Sequence, residues 1–373
     1  MFQRALFAAA AALLVASSTA LVVVHQDAQH DRAGRTRLPG LSGQGEQAAL
    51  DLVDVSTTTI PPPPTTTTTA PPPPPTTAAP APAPKPQPKP SSGALSAARL
   101  KPPAVPVGLA PYVGLGTWSD VYDWSNSYTD GKPGTGPADI DAMVAKGVQT
   151  LYIQASKHDA PGDLVDPDLL LPLIHKAKQR GLRVVAWYLP TLVDPQRDLQ
   201  RMVAIAGLQD VDSVAVDIEA RNVSDVNDRN QRLVQFSQAL RKALPGRTIG
   251  AIVLPPVVLE VVNPNYWPGF PYRQIAPSYD VWMTMGYWTN RKQESGYRDA
   301  YRYTKENVDR LRADVGRADL PVHPIGGLGD KTTTADVEGY RRAAIDTKSI
   351  GGSLYDWRTT RAESWGGMAG FRA

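Results

Sequence analysis

The sequence predicts an α/β fold, specifically a closed (β/α)8 TIM barrel, and three observations carry that prediction. Beyond residue 106, short apolar runs alternate with amphipathic helical stretches, the pattern of a parallel sheet with helical crossovers. Eight such runs can be counted, and eight strand–helix units in roughly 250 residues is the size at which such a sheet closes on itself. An open doubly wound sheet would need fewer strands and usually a glycine-rich first turn, which is lacking here.

The strand runs are Tyr112–Gly116, Thr150–Gln154, Arg183–Leu189, Ser213–Glu219, Thr248–Leu254, Asp280–Tyr287, Val322–Gly327 and Gly352–Trp357. The helical stretch Pro137–Lys146 opens on proline and stops at Gly147, Pro167–Arg180 stops at Gly181, and Pro195–Ala206 stops at Gly207. Asn227–Leu244 is long and periodic and is halted by Pro245-Gly246; Arg298–Val315 and Thr334–Lys348 follow. The fifth connection, Pro255–Pro277, is proline-rich and reads as a loop with a short helix, and the eighth helix is abbreviated.

The segment before the barrel cannot build a core. Residues 5–24 (ALFAAAAALLVASSTALVVV) are uncharged and follow Arg4, so residues 1–24 read as an export signal or a membrane anchor. Either reading places the rest outside the cytoplasm, secreted or held at the outer face of the membrane, with the N-terminal segment as the one membrane contact. Residues 25–105 read as disordered and include a Pro/Thr-rich tract at 56–92, an extended spacer with little to bury. All eight tryptophans lie beyond it, in a single folded domain at 106–373. A tethered monomer is the simplest expectation.

Composition removes several functions. With no cysteine there is no disulfide framework, thiolate nucleophile or cysteine zinc site. The net charge of +3 comes without a basic stripe, so nucleic acid is not an expected partner. His158, His175 and His323 fall on separate elements with no ligand spacing, and neither a metal nor a cofactor is expected. GGLGDKT (326–332) lacks the contiguous Gly-Lys-Ser/Thr of a phosphate loop and reads as a turn and helix cap.

The chemistry concentrates in DSVAVDIEA (212–220). Alternate side chains of a strand share a face, so Val214, Val216 and Ile218 point one way and Ala215, Asp217 and Glu219 the other. In a barrel the branched residues suit the helix side. The two acids then look inward at the C-terminal end of the fourth strand, where sites of this fold assemble. Such a pair, with Cα atoms about 6.5–7 Å apart, can act on one glycosidic bond. On an ordinary half-exposed strand the same pair would be a solvated face. Trp118, Trp187, Trp288 and Trp357 fall near the C-terminal ends of strands one, three, six and eight, where indole faces could stack on sugars or pack the barrel top.

These residues resemble two families. DSVAVDIE (212–219) is similar to the D-G-x-D-x-D-x-E signature of glycoside hydrolase family 18, the chitinase-like family: Asp212, Asp217 and Glu219 match, Ser213 stands for glycine and Ala215 for the middle aspartate. MTMGYW (283–288) resembles that family's M-x-Y-D through Met285 and Tyr287, with Trp288 in place of aspartate, and GGSLYDW (351–357) resembles its last strand. Lys146 to Tyr188 instead resembles family 25, the lysozyme-like muramidases, although GLGTW (114–118) stands where that family's strand-one aspartate would be. The chain thus reads as a (β/α)8 glycoside hydrolase relative outside the core of either family. The resemblance implies Glu219 as general acid, Asp217 as an orienting or charge-stabilising carboxylate and Tyr287 as a hydrogen-bond donor to the substrate's acetamido group. Should a protein carboxylate attack instead, Asp120, Asp123 and Asp356 are the candidates by strand end, with Asp120 and Asp356 otherwise contacting substrate. The implied substrate is an amino-sugar polysaccharide, peptidoglycan or chitin-like. The absent middle aspartate keeps open a non-catalytic carbohydrate-binding barrel, and a scaffold that binds a protein partner is the third reading.

Overall fold

A computed structural model describes residues 107–373. The export or anchor segment (1–24) and the spacer region (25–105) lie outside the described residues. Eight strands form one parallel sheet: β1 Gly114–Ser119, β2 Thr150–Gln154, β3 Arg183–Tyr188, β4 Ser213–Ile218, β5 Ile249–Val253, β6 Val281–Thr284, β7 Ile325–Leu328 and β8 Gly351–Tyr355. The hydrogen-bonded order runs β6-β5-β4-β3-β2-β1-β8-β7. Parallel bridges Trp282–Val322 and Met285–Ile325 join the two ends and close the barrel.

Helices α1 Pro137–Ala145, α2 Pro167–Gln179, α3 Pro195–Ala206, α4 Val226–Ala243, α5 Ala300–Val315 and α6 Thr334–Asp346 surround it. Their starts follow from the sequence. Proline opens α1, α2 and α3, where its missing N–H costs nothing. The side chains of Asp194, Asp225, Asp299 and Thr333 accept from the first-turn amides of α3, α4, α5 and α6. The fifth connection is irregular as expected, holding only single turns at Val258–Val262, Tyr272–Ile275 and Ala276–Ser278. The eighth helix is reduced to Ser364–Met368.

β1 begins two residues later than the apolar run suggested. Tyr112 instead ends a 3-10 turn, Val107–Tyr112, which sits beneath the barrel. Its hydroxyl donates to the Val214 carbonyl at 2.7 Å and lies 2.8 Å from Ser213 Oγ. Arg183 ties this turn down by donating to the Ala110 and Val113 carbonyls at 2.7 and 2.8 Å. Above it the interior is filled by a hydrogen-bonded column. His323 Nδ1 donates to the Tyr112 carbonyl at 2.8 Å, His323 Nε2 accepts from Ser353 Oγ at 3.1 Å, and Trp118 Nε1 donates to Ser353 Oγ at 2.8 Å. Tyr152 stacks on Trp118 with ring centroids 4.4 Å apart. Ser213 meets this column, so the residues sharing its face of β4, Ala215 and Asp217, also look inward, while Val214, Val216 and Ile218 are buried on the helix side.

Two outcomes follow. A Cβ at Gly286 would lie 2.1 Å from the Ile325 carbonyl oxygen that closes the seam, accepting from the Gly286 amide at 2.8 Å. Gly286→Ala therefore destabilises by about 3 kcal/mol, because the obstacle is backbone; urea unfolding measures it, and an unchanged midpoint would show that the seam yields. Burial lowers His323 from 6.5 to about 4. Its folded value lies below its unfolded one, so its contribution is complete above 6.5 and lost as pH falls toward 4, a loss on the order of 3 kcal/mol. His323→Gln flattens the fall in melting temperature across that window relative to the parent.

Candidate active site

Five carboxylates gather at the C-terminal ends of the strands. Asp217 occupies the last inward position of β4 and Glu219 follows the strand; they are 5 % and 3 % exposed. Asp120 leaves β1 and caps the single turn Val121–Trp124, its Oδ1 accepting from the Tyr122 amide at 2.7 Å. Asp123, in that turn, accepts from the Asp120 amide at 3.0 Å and from Ser119 Oγ at 3.3 Å. Asp356 follows β8 and heads a turn, accepting from the Thr359 amide at 2.8 Å. Alternation explains the layout: Asp120 continues the inward face of Trp118, and Asp217 that of Ala215.

Two tyrosines bind the group together. Tyr355, at the end of β8, donates to Asp120 Oδ2 at 2.7 Å. Tyr287, beyond β6, packs edge-on against Tyr355 with centroids 6.0 Å apart. Burial, and then the fields of Glu219, Asp217, Asp356 and Asp120, hold the Tyr287 hydroxyl well above the ordinary phenol range. It stays a hydrogen-bond donor at any working pH. Tyr287 thus meets the β1 and β8 acids through its ring contact with Tyr355.

The acids differ in environment. Burial alone pushes Asp217 well above the ordinary aspartate range, and its Oδ1 has no hydrogen-bond partner. Burial, then repulsion from Asp356 and Asp120, pushes Asp123 up as well, against the opposing pull of the Asp120 amide and Arg358. Carboxyls driven upward by desolvation and like charge can hold a proton to give away. Asp120, Asp123 and Asp356 place oxygens within 4.8 Å of one another, a hard-donor set of the kind magnesium or calcium takes. Each already answers a protein donor, so the trio reads as a hydrogen-bonded acid cluster.

The tryptophans divide. Trp187 lies in register with Ala215 on the inward face, edge-on to Trp118 with centroids 6.1 Å apart, its Nε1 without a hydrogen-bond partner. It stands one inward position below Asp217 in the register of β3 and β4. The other three depart from the expected sugar platforms. Trp118, 1 % exposed, has one face covered by Tyr152 and belongs to the interior column. Trp288, 0 % exposed, lies over Gly326 and Gly327, where a Cβ would approach its ring to 3.0 and 2.9 Å, and packs on Tyr340 of α6. It therefore serves the barrel–helix interface. Trp357 is half-buried away from the acids: its Nε1 donates to Asp139 of α1 at 3.0 Å and its ring meets Trp365 at 5.3 Å. The turn headed by Asp356 carries it there.

A surface depression of roughly 530 Å³ lies elsewhere, between the loops after β1 and β2, lined by Tyr128, Leu164 and Asp166 among others and by none of the five acids. His158 sits on the β2 loop and His323 in the column, so the two do not meet. Tyr355 was absent from the sequence-derived candidates, yet the strand alternation that places Ser353 inward places it too.

No protein-family model and no curated protein matches this chain. Solved structures match its fold. The spore cortex-lytic enzyme SleL of Bacillus cereus superposes with a TM-score of 0.52 at 8% identity, over 70% of this chain and 74% of that one. A class V chitinase from Pseudomonas fluorescens Pf-5 gives 0.52 at 10%, over 70% and 100%. The family GH18 chitinase from Cycas revoluta, solved with allosamidin, gives 0.51 at 11%, over 69% and 98%. These neighbours are glycoside hydrolases built on (β/α)8 barrels, and at such identities the likeness is one of fold.

The acid cluster has a stability signature. Folding raises Asp123, so the folded chain holds a proton that the unfolded chain releases. Its contribution is intact below the ordinary value of 3.8 and decays as pH rises through it toward the folded value. Asp123→Asn keeps an acceptor for the Asp120 amide and cannot ionise. The variant melts higher than the parent at pH 8, by on the order of 2–4 °C, and the gap closes toward pH 4. A gap independent of pH would show that repulsion is not the cause.

Proposed function

We propose that the barrel is an exported glycoside hydrolase acting on an amino-sugar polysaccharide such as peptidoglycan glycan or a chitin-like chain. One observation carries the reading: Asp217 and Glu219, both buried at the C-terminal end of β4, stand on the same end of the barrel as the Asp120, Asp123 and Asp356 cluster. Glu219, as the acid, gives its proton to the glycosidic oxygen while the bond from that oxygen to the anomeric carbon breaks. The substrate's own acetamido oxygen closes onto the anomeric carbon, as in substrate-assisted glycosidases. Tyr287 donates to that acetamido group, and Asp217, with an open Oδ1, accepts from its N–H. Water, giving its proton to the Glu219 carboxylate, then opens the ring intermediate and restores the acid. Asp120 and Asp356 contact the sugar from the β1 and β8 side. The fold shared with chitinases and a cortex-lytic enzyme supports the class of reaction. Export rests on residues 5–24 alone.

Ala215 favours a second reading, a carbohydrate-binding barrel without turnover. It stands where the resembled signature has an aspartate, and Trp187 occupies the neighbouring register position. Glu219→Gln separates the two. For an enzyme, hydrolysis of N-acetylglucosamine oligomers and of peptidoglycan glycan strands falls by about 10²- to 10⁴-fold while binding persists. For a binding domain, the parent shows no turnover and the variant binds as before. Absence of both binding and turnover would sink both readings.

A further inference from the structure

Two arginines that the proposed chemistry does not use follow β4: Arg221 on the loop that leaves the strand and Arg229 in the first turn of α4. Arg229, 2 % exposed, lies over the Trp267 ring with its guanidinium carbon 4.1 Å from the centroid. It donates to the Val223 carbonyl at 3.2 Å, and its Nε has no hydrogen-bond partner. Arg221 is exposed and lies over Tyr266 at 4.3 Å. Among the described residues neither forms an ion pair with a carboxylate; Asp225, nearby in sequence, accepts instead from the Asp228 amide as the cap of α4 at 2.8 Å. A buried guanidinium with no direct ion pair is costly, and here a second is set nearby: burial and then Arg221 hold Arg229 below the ordinary arginine range, against a weaker opposing pull from Tyr266 and Asp225. The aromatic faces answer part of that charge. An anion would answer the rest.

Arg221 also has the right position. It follows Glu219 by two residues beyond β4, so their Cα atoms are at most about 7 Å apart. Arg221 is exposed, and a guanidinium matches a carboxylate through two parallel N–H···O bonds. We infer that Arg221, backed by Arg229, Tyr266 and Trp267, forms a subsite for a carboxylate borne by the sugar next to the scissile bond, which makes the preferred substrate an acidic glycan. This rests on the glycosidase or sugar-binding reading of the barrel and narrows its substrate class.

The test uses the full chain carrying Glu219→Gln, so that binding is read without hydrolysis. Three probes are compared by calorimetry: N-acetylglucosamine oligomers, glycan strands alternating N-acetylglucosamine with N-acetylmuramic acid, and the same strands with the carboxylate reduced to the alcohol. The carboxylated strands bind about 10- to 100-fold tighter than the reduced ones. Arg221→Gln brings that ratio near one without lowering the melting temperature, and Arg221→Lys restores part of it. Equal binding of carboxylated and reduced strands overturns the subsite while leaving the glycan reading intact. A ratio unchanged in Arg221→Gln overturns it too, as does equal weakening of all probes, the mark of a structural stacking role. Failure of every probe to bind removes the glycan reading and this one together.

Discussion

A closed barrel of eight strands leaves an interior only as wide as the side chains that fill it. Here that space is taken from below by Tyr112, His323, Ser353, Tyr152 and Trp118, each satisfying a neighbour's polar group or covering its ring. Burial without water makes every one of those bonds obligatory. The column fills the lower barrel. Functional groups can gather only above it, which is where the five carboxylates stand.

Their gathering is an electrostatic problem that the fold answers with hydroxyls and shared protons. The Tyr355 and Tyr287 phenols are held as donors by burial and by the acids around them, and Tyr355 spends its proton on Asp120. Asp217 and Asp123 are driven toward their neutral forms, Asp217 by desolvation and Asp123 also by its acidic neighbours. Repulsion acts among the acids on one side of Glu219, and the cations Arg221 and Arg229 lie beyond it on the other.

The tryptophans show how little a position along a strand says about what a ring touches. All four candidates fall near strand ends, yet Trp187 and Trp118 fill the interior below the acids while the other two turn toward the helices. Trp118 is captured by Tyr152, Trp288 by the space over Gly326 and Gly327, and Trp357 by Asp139 and Trp365. A large ring goes where the most apolar surface can be covered, and that depends on neighbours distant in sequence.

The sequence by itself determined the element order, the helix boundaries and the inward placement of Asp217 and Glu219. Those are properties of local periodicity, capping and alternation, written in adjacent residues: proline at helix starts, glycine at their ends, and Val214, Val216 and Ile218 opposite the acids. Only the tertiary structure decided that Tyr355 joins the acid group, that Trp288 and Trp357 pack against helix residues instead, and that Arg221 and Arg229 sit on aromatic rings. Each of those contacts joins segments far apart in the chain. Its strength is set by desolvation and packing at the meeting point, quantities that do not exist until the barrel has closed.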